Sequence, residues 1–133
     1  MTIAATNPPG LWQLTILQGA TWRQDIDWLE DNLPVDLNGW TARMQIRATR
    51  GDGVTEKALY DELLIELATS NGAIILNANK VTGRIRLQLT DEQTADLPAA
   101  AARYDLELTS AGGEVTRLLM GDMFISEEVT RGG

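Results

Sequence analysis

The chain has no cysteine and no histidine, and these two absences remove most common catalytic and metal-binding toolkits together. Cysteine nucleophiles, Ser-His-Asp triads, Cys/His zinc sites and disulfide frameworks are all excluded. Basic residues are scarce beside acidic ones: 11 Lys plus Arg stand against 19 Asp plus Glu, a net charge of -8. That sign opposes binding to a phosphate backbone, so no nucleic-acid partner is expected. No run of about eighteen apolar residues occurs, so no membrane partner is expected either. The start, MTIAATNPPG, has neither the basic n-region nor the continuous apolar h-region of a signal peptide, and synthesis and retention in a cytosol are expected.

What is present is a chain of 133 residues, 44% apolar, enough to bury one core without a metal or disulfide. Its dominant signal is period-two alternation in short runs. In Arg84-Ile85-Arg86-Leu87-Gln88-Leu89-Thr90, the residues Ile85, Leu87 and Leu89 share one face and Arg84, Arg86 and Gln88 the other. Tyr104, Leu106 and Leu108 repeat the pattern, as do Trp40, Ala42, Met44 and Ile46. Further runs span Trp12 to Leu17, Trp22 to Leu29 and Val115 to Ile125, the last expected to bend at Gly121. Turn residues fall between them at Asn38-Gly39, Gly51-Asp52-Gly53, Asn71-Gly72, Thr82-Gly83 and Ala111-Gly112-Gly113.

Residues 56–67 admit either a helix, through Leu59, Leu63 and Leu67 spaced four apart, or a strand from Leu63 to Ala68. The strand is favoured because Asn71-Gly72 and Ala73-Ile74-Ile75-Leu76 read as a hairpin-like continuation. Thr90-Asp91-Glu92-Gln93 is a capping box that opens a short helical turn near 91–97, closed by Pro98. A strand, a short helical crossing and a strand that begins with tyrosine is the layout around the tyrosine corner of immunoglobulin-like folds. The expected architecture is an all-β, immunoglobulin-like antiparallel β-sandwich of seven to eight strands. Tyr104 is expected at its corner, with its hydroxyl bonded to upstream backbone. The expected organisation is a flexible N-terminal arm over 1–10, one sandwich domain over 11–130 and a frayed tail over 131–133.

Candidate chemistry is sparse. Trp12, Trp22, Trp28 and Trp40 all lie in the first third of the chain, and rings on a flat β face would suit a carbohydrate-binding module with at least two exposed, coplanar tryptophans. The competing reading puts Trp22, Trp28 and Trp40 in the core by parity. It leaves Trp12, beside Pro8 and Pro9, as either a core residue or an interface anchor. Asp25 and Asp27 point the same way on a strand and could bind Ca²⁺ or act as an acid–base pair. They match no calcium loop, however, and lack an obvious cleft, so a solvated face is the simpler reading. Arg84, Arg86 and Arg103 are explained by ion pairing with Asp105 and Glu107 if those strands are neighbours. Neither glycine-rich turn matches a phosphate-binding pattern. No catalytic residue, cofactor site or metal site is assigned.

Several phrases, taken in order, carry a resemblance. They are Gln18-Gly19-Ala20-Thr21-Trp22, the stretch from Val35 to Arg47, Gly83 to Leu97, Tyr104 to Leu108, and Val115 to Gly121, ending Glu128-Val129-Thr130. Together they resemble a family of small phage and prophage structural proteins encoded among tail or baseplate genes. These are similar in layout to the N-terminal domain of upper baseplate proteins. The resemblance spans about Leu14 to Thr130 and is least close over Thr55 to Glu66. It implies a non-enzymatic virion component made in a bacterial cytoplasm, an adaptor that meets other tail or baseplate proteins and forms a homo-oligomeric ring or other symmetric assembly. A head-decoration or neck protein with the same sandwich is the neighbouring alternative. Pro8, Pro9 and Trp12 are the candidate assembly interface.

Overall fold

The computed structural model describes residues 2–6, 8–50 and 59–127. Eleven strands occur among them: β1 (Thr2–Ala5), β2 (Gly10–Leu11), β3 (Leu14–Leu17), β4 (Trp22–Glu30), β5 (Leu33–Pro34), β6 (Thr41–Arg50), β7 (Leu59–Ala68), β8 (Ile74–Leu76), β9 (Arg84–Leu89), β10 (Ala100–Thr109) and β11 (Val115–Ser126). They form two sheets. Sheet one runs β1-β4-β9-β8 with β5 also on β4, and sheet two runs β2-β11-β10-β6-β7 with β3 also on β11. Lettered in chain order, sheet one has the A-B-E-D arrangement of an immunoglobulin-like sandwich, and β11-β10-β6 supplies the G-F-C core of the other.

The alternation read from the sequence becomes the two inner faces. Ile26, Ile85 and Leu87 of sheet one, and Met44, Ile46, Leu106 and Leu108 of sheet two, have no exposed surface. Trp22 and Trp28 lie in the same core. Trp40 packs against it and meets Trp28 edge to face, with ring centroids 5.2 Å apart.

Four expectations need correction. The sheets are mixed rather than antiparallel, because β1 pairs in parallel with β4, and β2 and β3 pair in parallel with β11. The N-terminal segment belongs to no hairpin; it is laid along one edge of each sheet in turn, so nothing forces it to run antiparallel. The stretch expected as a free arm over 1–10 also contains β1. Ile3 and Ala5 alternate inward, opposite Ile26 and Trp28, and are 1% and 3% exposed. Pro8 and Pro9, joined by a cis peptide bond, occupy the bend between the sheets. Residues 73–76 continue no hairpin with β7, since β8 pairs with β9 in the opposite sheet. Asn71 shapes that crossing. Its Oδ1 accepts from the Ala68 and Ala73 amides at 3.1 and 3.0 Å, and its Nδ2 donates to the Glu66 carbonyl at 3.0 Å. Finally, eleven strands stand where seven to eight were expected, because the short β1, β2 and β5 pair along sheet edges as well; β11 also carries a register shift opposite Leu106/Glu107, and Gly121 has a task described below.

Other expectations hold. Residues 59–68 form a strand, β7, paired with β6 through two register shifts. The short helix α1 (Asp91–Ala95) opens with the capping box: the Gln93 amide donates to Thr90 Oγ1 at 3.1 Å, and the Thr90 amide to Gln93 Oε1 at 2.9 Å. Ala111-Gly112-Gly113 closes the β10–β11 hairpin. The turn expected at Gly51-Asp52-Gly53, the start of the 56–67 stretch, Glu128-Val129-Thr130 and the tail over 131–133 lie outside the described residues.

Helix α1 is tied to the β3–β4 turn by Thr94, whose fully buried hydroxyl donates to the Ala20 carbonyl at 2.9 Å, and by Gln18 Nε2, which donates to the Leu97 carbonyl at 2.7 Å. Replacing Thr94 by Val keeps the shape but removes the donor to Ala20. Urea unfolding should show a loss of about 1–3 kcal/mol with an unchanged m-value.

Candidate functional site: an apolar edge pinned by Tyr104

Tyr104 points inward from β10 and is 4% exposed. Its hydroxyl donates to the Trp12 carbonyl at 2.8 Å. The hydroxyl therefore bonds upstream backbone as expected, but 92 residues away rather than at a local corner. Burial pushes the phenol well above its ordinary value, so it remains a protonated donor. The Trp12 amide in turn donates to the Met120 carbonyl at 3.1 Å.

This seat exists because the residue opposite Tyr104 on β11 is Gly121. A Cβ there would overlap the Trp12 carbonyl, and the glycine also adopts a φ of +157°. A glycine inside a long regular strand is the sequence signal for such a close backbone approach. Gly10 is similarly confined, since a Cβ would come within 2.9 Å of Leu119 Cδ2.

Because the segment is fixed in this way, its side chains are presented on the outside. Trp12 is 38% exposed and Leu11 74% exposed. Pro8 and Pro9 are exposed just before them. Leu11 lies opposite Met120. Farther along the same edge, Phe124 lies opposite Thr15, with Leu17 its diagonal neighbour on that outer face; both are substantially exposed. Leu11, Leu17 and Phe124 were not singled out from the sequence. Parity alone marks the last two: Ile16, Met123 and Ile125 point inward, so the apolar residues between them point out.

The remaining candidates resolve differently. Asp25 and Asp27 do share one face of β4, but each faces an arginine on β9. Arg86 Nε and Nη2 meet Asp25 at 2.8 and 3.1 Å, and Arg84 Nε and Nη2 meet Asp27 at 2.9 and 3.0 Å. These two-pronged pairs occupy both carboxylates, which is incompatible with a free acid–base pair and leaves no open oxygen set for Ca²⁺. The arginines were expected to face Asp105 and Glu107. The register instead puts β9 in sheet one beside β4, while Arg103 lies 3.7 Å from Asp122. Among the described residues, no cluster of three or more potential metal ligands occurs. The carbohydrate reading needs coplanar exposed rings. Trp22 and Trp28 are buried, and Trp28 and Trp40 stand at 89° to one another.

The Arg86 hydrogen bond holds the Asp25 carboxyl below its ordinary value, against the opposing effect of burial. A carboxyl depressed in the folded state contributes stability above its unfolded value, about 3.9, and loses it as pH falls through the folded value. The melting temperature of Asp25→Asn should thus lie below that of the unaltered protein at neutral pH, and the gap should close in acid; a gap independent of pH would contradict the linkage. Tyr104→Phe should cost about 1–3 kcal/mol in urea unfolding by leaving the Trp12 carbonyl without its donor. Gly121→Ala should be at least as harmful, and combining the two should cost less than their sum, because both release the same peptide.

No family model matches the chain, and no curated protein matches it. Among solved structures, the chain is similar to the "N-terminal domain of phage TP901-1 ORF48", with a TM-score of 0.51 and 10% sequence identity. The match covers 94% of this chain and 96% of that one. At that identity the likeness establishes a shared fold over nearly the full length of both chains.

Proposed function

We propose that this chain is a non-enzymatic structural component of a phage particle, an adaptor in the tail or baseplate that assembles with other tail proteins or fibres. The observation that carries this reading is the full-length fold shared with a phage protein domain. It agrees with the independent sequence resemblance to upper baseplate proteins. The rigid apolar edge of Leu11, Trp12, Leu17 and Phe124 supports an assembly role. Exposed apolar side chains held in one place, with an aromatic among them, are what a partner can bury at little ordering cost. The two conspicuous carboxylates are committed to structural ion pairs, which favours binding over catalysis. A symmetric ring of copies, localised in the virion, completes the proposal.

Mass spectrometry of purified particles, with antibody-gold labelling, tests this directly. Recovery of the chain at the tail end supports the adaptor reading, recovery at the head or neck overturns that placement, and absence from intact particles overturns the proposal. Truncating residues 1–10 would be a poor probe, because it removes Ile3 and Ala5 from the core. Leu11→Ser together with Trp12→Ser alters the exposed edge and keeps the Trp12 peptide group. Particle incorporation should fall at least about tenfold while the isolated domain stays folded; unchanged incorporation would show that this edge is not the interface.

A further inference from the structure

We infer that the outer face of sheet two carries a notch that receives a carboxylate side chain from a partner protein. This deepens the reading of the chain as an assembly module and rests on it. The notch is a cavity of about 320 Å³ lined by Gln45, Arg47, Arg103, Tyr104, Asp105 and Met120. Cross-strand registry places Arg47 of β6 directly opposite Arg103 of β10. Like charges in that relation cost stability, and here they sit side by side on a chain whose net charge is -8.

The two guanidinium groups are held differently. Arg103 Nε lies 3.7 Å from an Asp122 oxygen. Arg47 Nε and Nη2 both donate to Gln45 Oε1, at 3.2 and 3.0 Å. Gln45 Nε2 in turn donates to Glu66 Oε1 at 3.0 Å, and Glu66 is paired with Arg43 at 2.7 Å. Glu66 therefore makes its direct ion pair with Arg43, while Arg47 feels it only at longer range and touches the neutral Gln45 amide between them. Among the described residues Arg47 has no ion pair. Its fork is oriented by Gln45 on one edge, and its remaining N–H donors have no acceptor there.

The surroundings select the occupant. A guanidinium fork matches the planar geometry of a carboxylate. Asp105 lines the same cavity with Arg117 3.7 Å from its carboxylate, and the charge left unscreened there repels a doubly charged phosphate more than a singly charged carboxylate. On one side of the ionic floor stand Met120 and, opposite it, Leu11; on the other side Leu63 stands opposite Arg47 and is 42% exposed. An Asp or Glu flanked by apolar residues on a partner chain fits that sequence of surfaces.

The test uses the full-length protein at neutral pH, with NMR detection of the arginine Nε–H signals. The probes are acetyl-Leu-Glu-Leu-amide, acetyl-Leu-Gln-Leu-amide, sodium acetate and sodium phosphate. The Glu peptide should shift the Arg47 and Arg103 signals saturably and bind at least about tenfold more tightly than the Gln peptide. Arg47→Gln should reduce Glu-peptide affinity by a similar factor while the rest of the amide spectrum stays in place. Equal binding of the two peptides, or no shift at either guanidinium, would overturn the notch. Acetate matching the peptide would identify an adventitious ion only, and tighter binding of phosphate would overturn the carboxylate assignment; both count against the proposal. The peptide comparison needs no variant, so a misfolded Arg47→Gln leaves it decisive. If the chain is found in particles but the peptides do not bind, the notch fails alone. If they bind and the chain is absent from particles, the assembly role fails while the notch stands as chemistry.

Discussion

The hydrogen bond from the Tyr104 hydroxyl to the Trp12 carbonyl joins a buried side chain to the edge of the sandwich, and a buried hydroxyl left unmet costs far more than one in water. Both partners are therefore committed to it. It needs space on the inner face of β11, and Gly121 provides that space by having no side chain. From this constraint follows the path of the N-terminal segment. Residues 2–5 cover the edge of sheet one, the chain turns at Pro8-Pro9, and residues 10–17 cover the edge of sheet two. One segment thus protects one edge of each sheet, which otherwise would present unpaired backbone to other chains.

The same constraint shapes the outer surface. A strand fixed at one point by a buried tyrosine cannot rotate its neighbours inward, so Leu11 remains outside despite its apolar character. Several charges on the outer faces are matched across neighbouring strands. Asp25 and Asp27 are matched by Arg86 and Arg84 in sheet one, and Glu66 by Arg43 in sheet two. The apolar edge and Arg47, whose fork meets the neutral Gln45 oxygen, both lie on sheet two.

Much of this was legible in the sequence because short-range patterns carry it. Alternation at Ile85-Leu87-Leu89 and Leu106-Leu108 marks the inner faces, and the Thr90 to Gln93 box marks the helix start. The carriers of long-range information were harder to read. Tyr104 announced a buried hydroxyl in need of an acceptor, but nothing local names Trp12 as that acceptor. Asn71-Gly72 reads as a turn whether the chain returns to the same sheet or crosses to the other, and only the burial of Ile74 against the opposite core decides it. The inward alternation of Ile3 and Ala5 was too brief to outweigh the Pro-Pro-Gly that follows. Arginine partners on β9 depended on strand order, which spacing along the chain does not determine.

The most direct measurement of the central claim is native-state hydrogen exchange at the Trp12 amide, which donates to the Met120 carbonyl beside the Tyr104 bond. If the N-terminal segment is pinned as described, this amide opens only with the core, and its protection approaches that of the Leu106 and Met44 amides. Exchange as fast as that of a fraying terminus, with the core amides still protected, would show that the edge is not rigid and would remove the basis for the surface it presents.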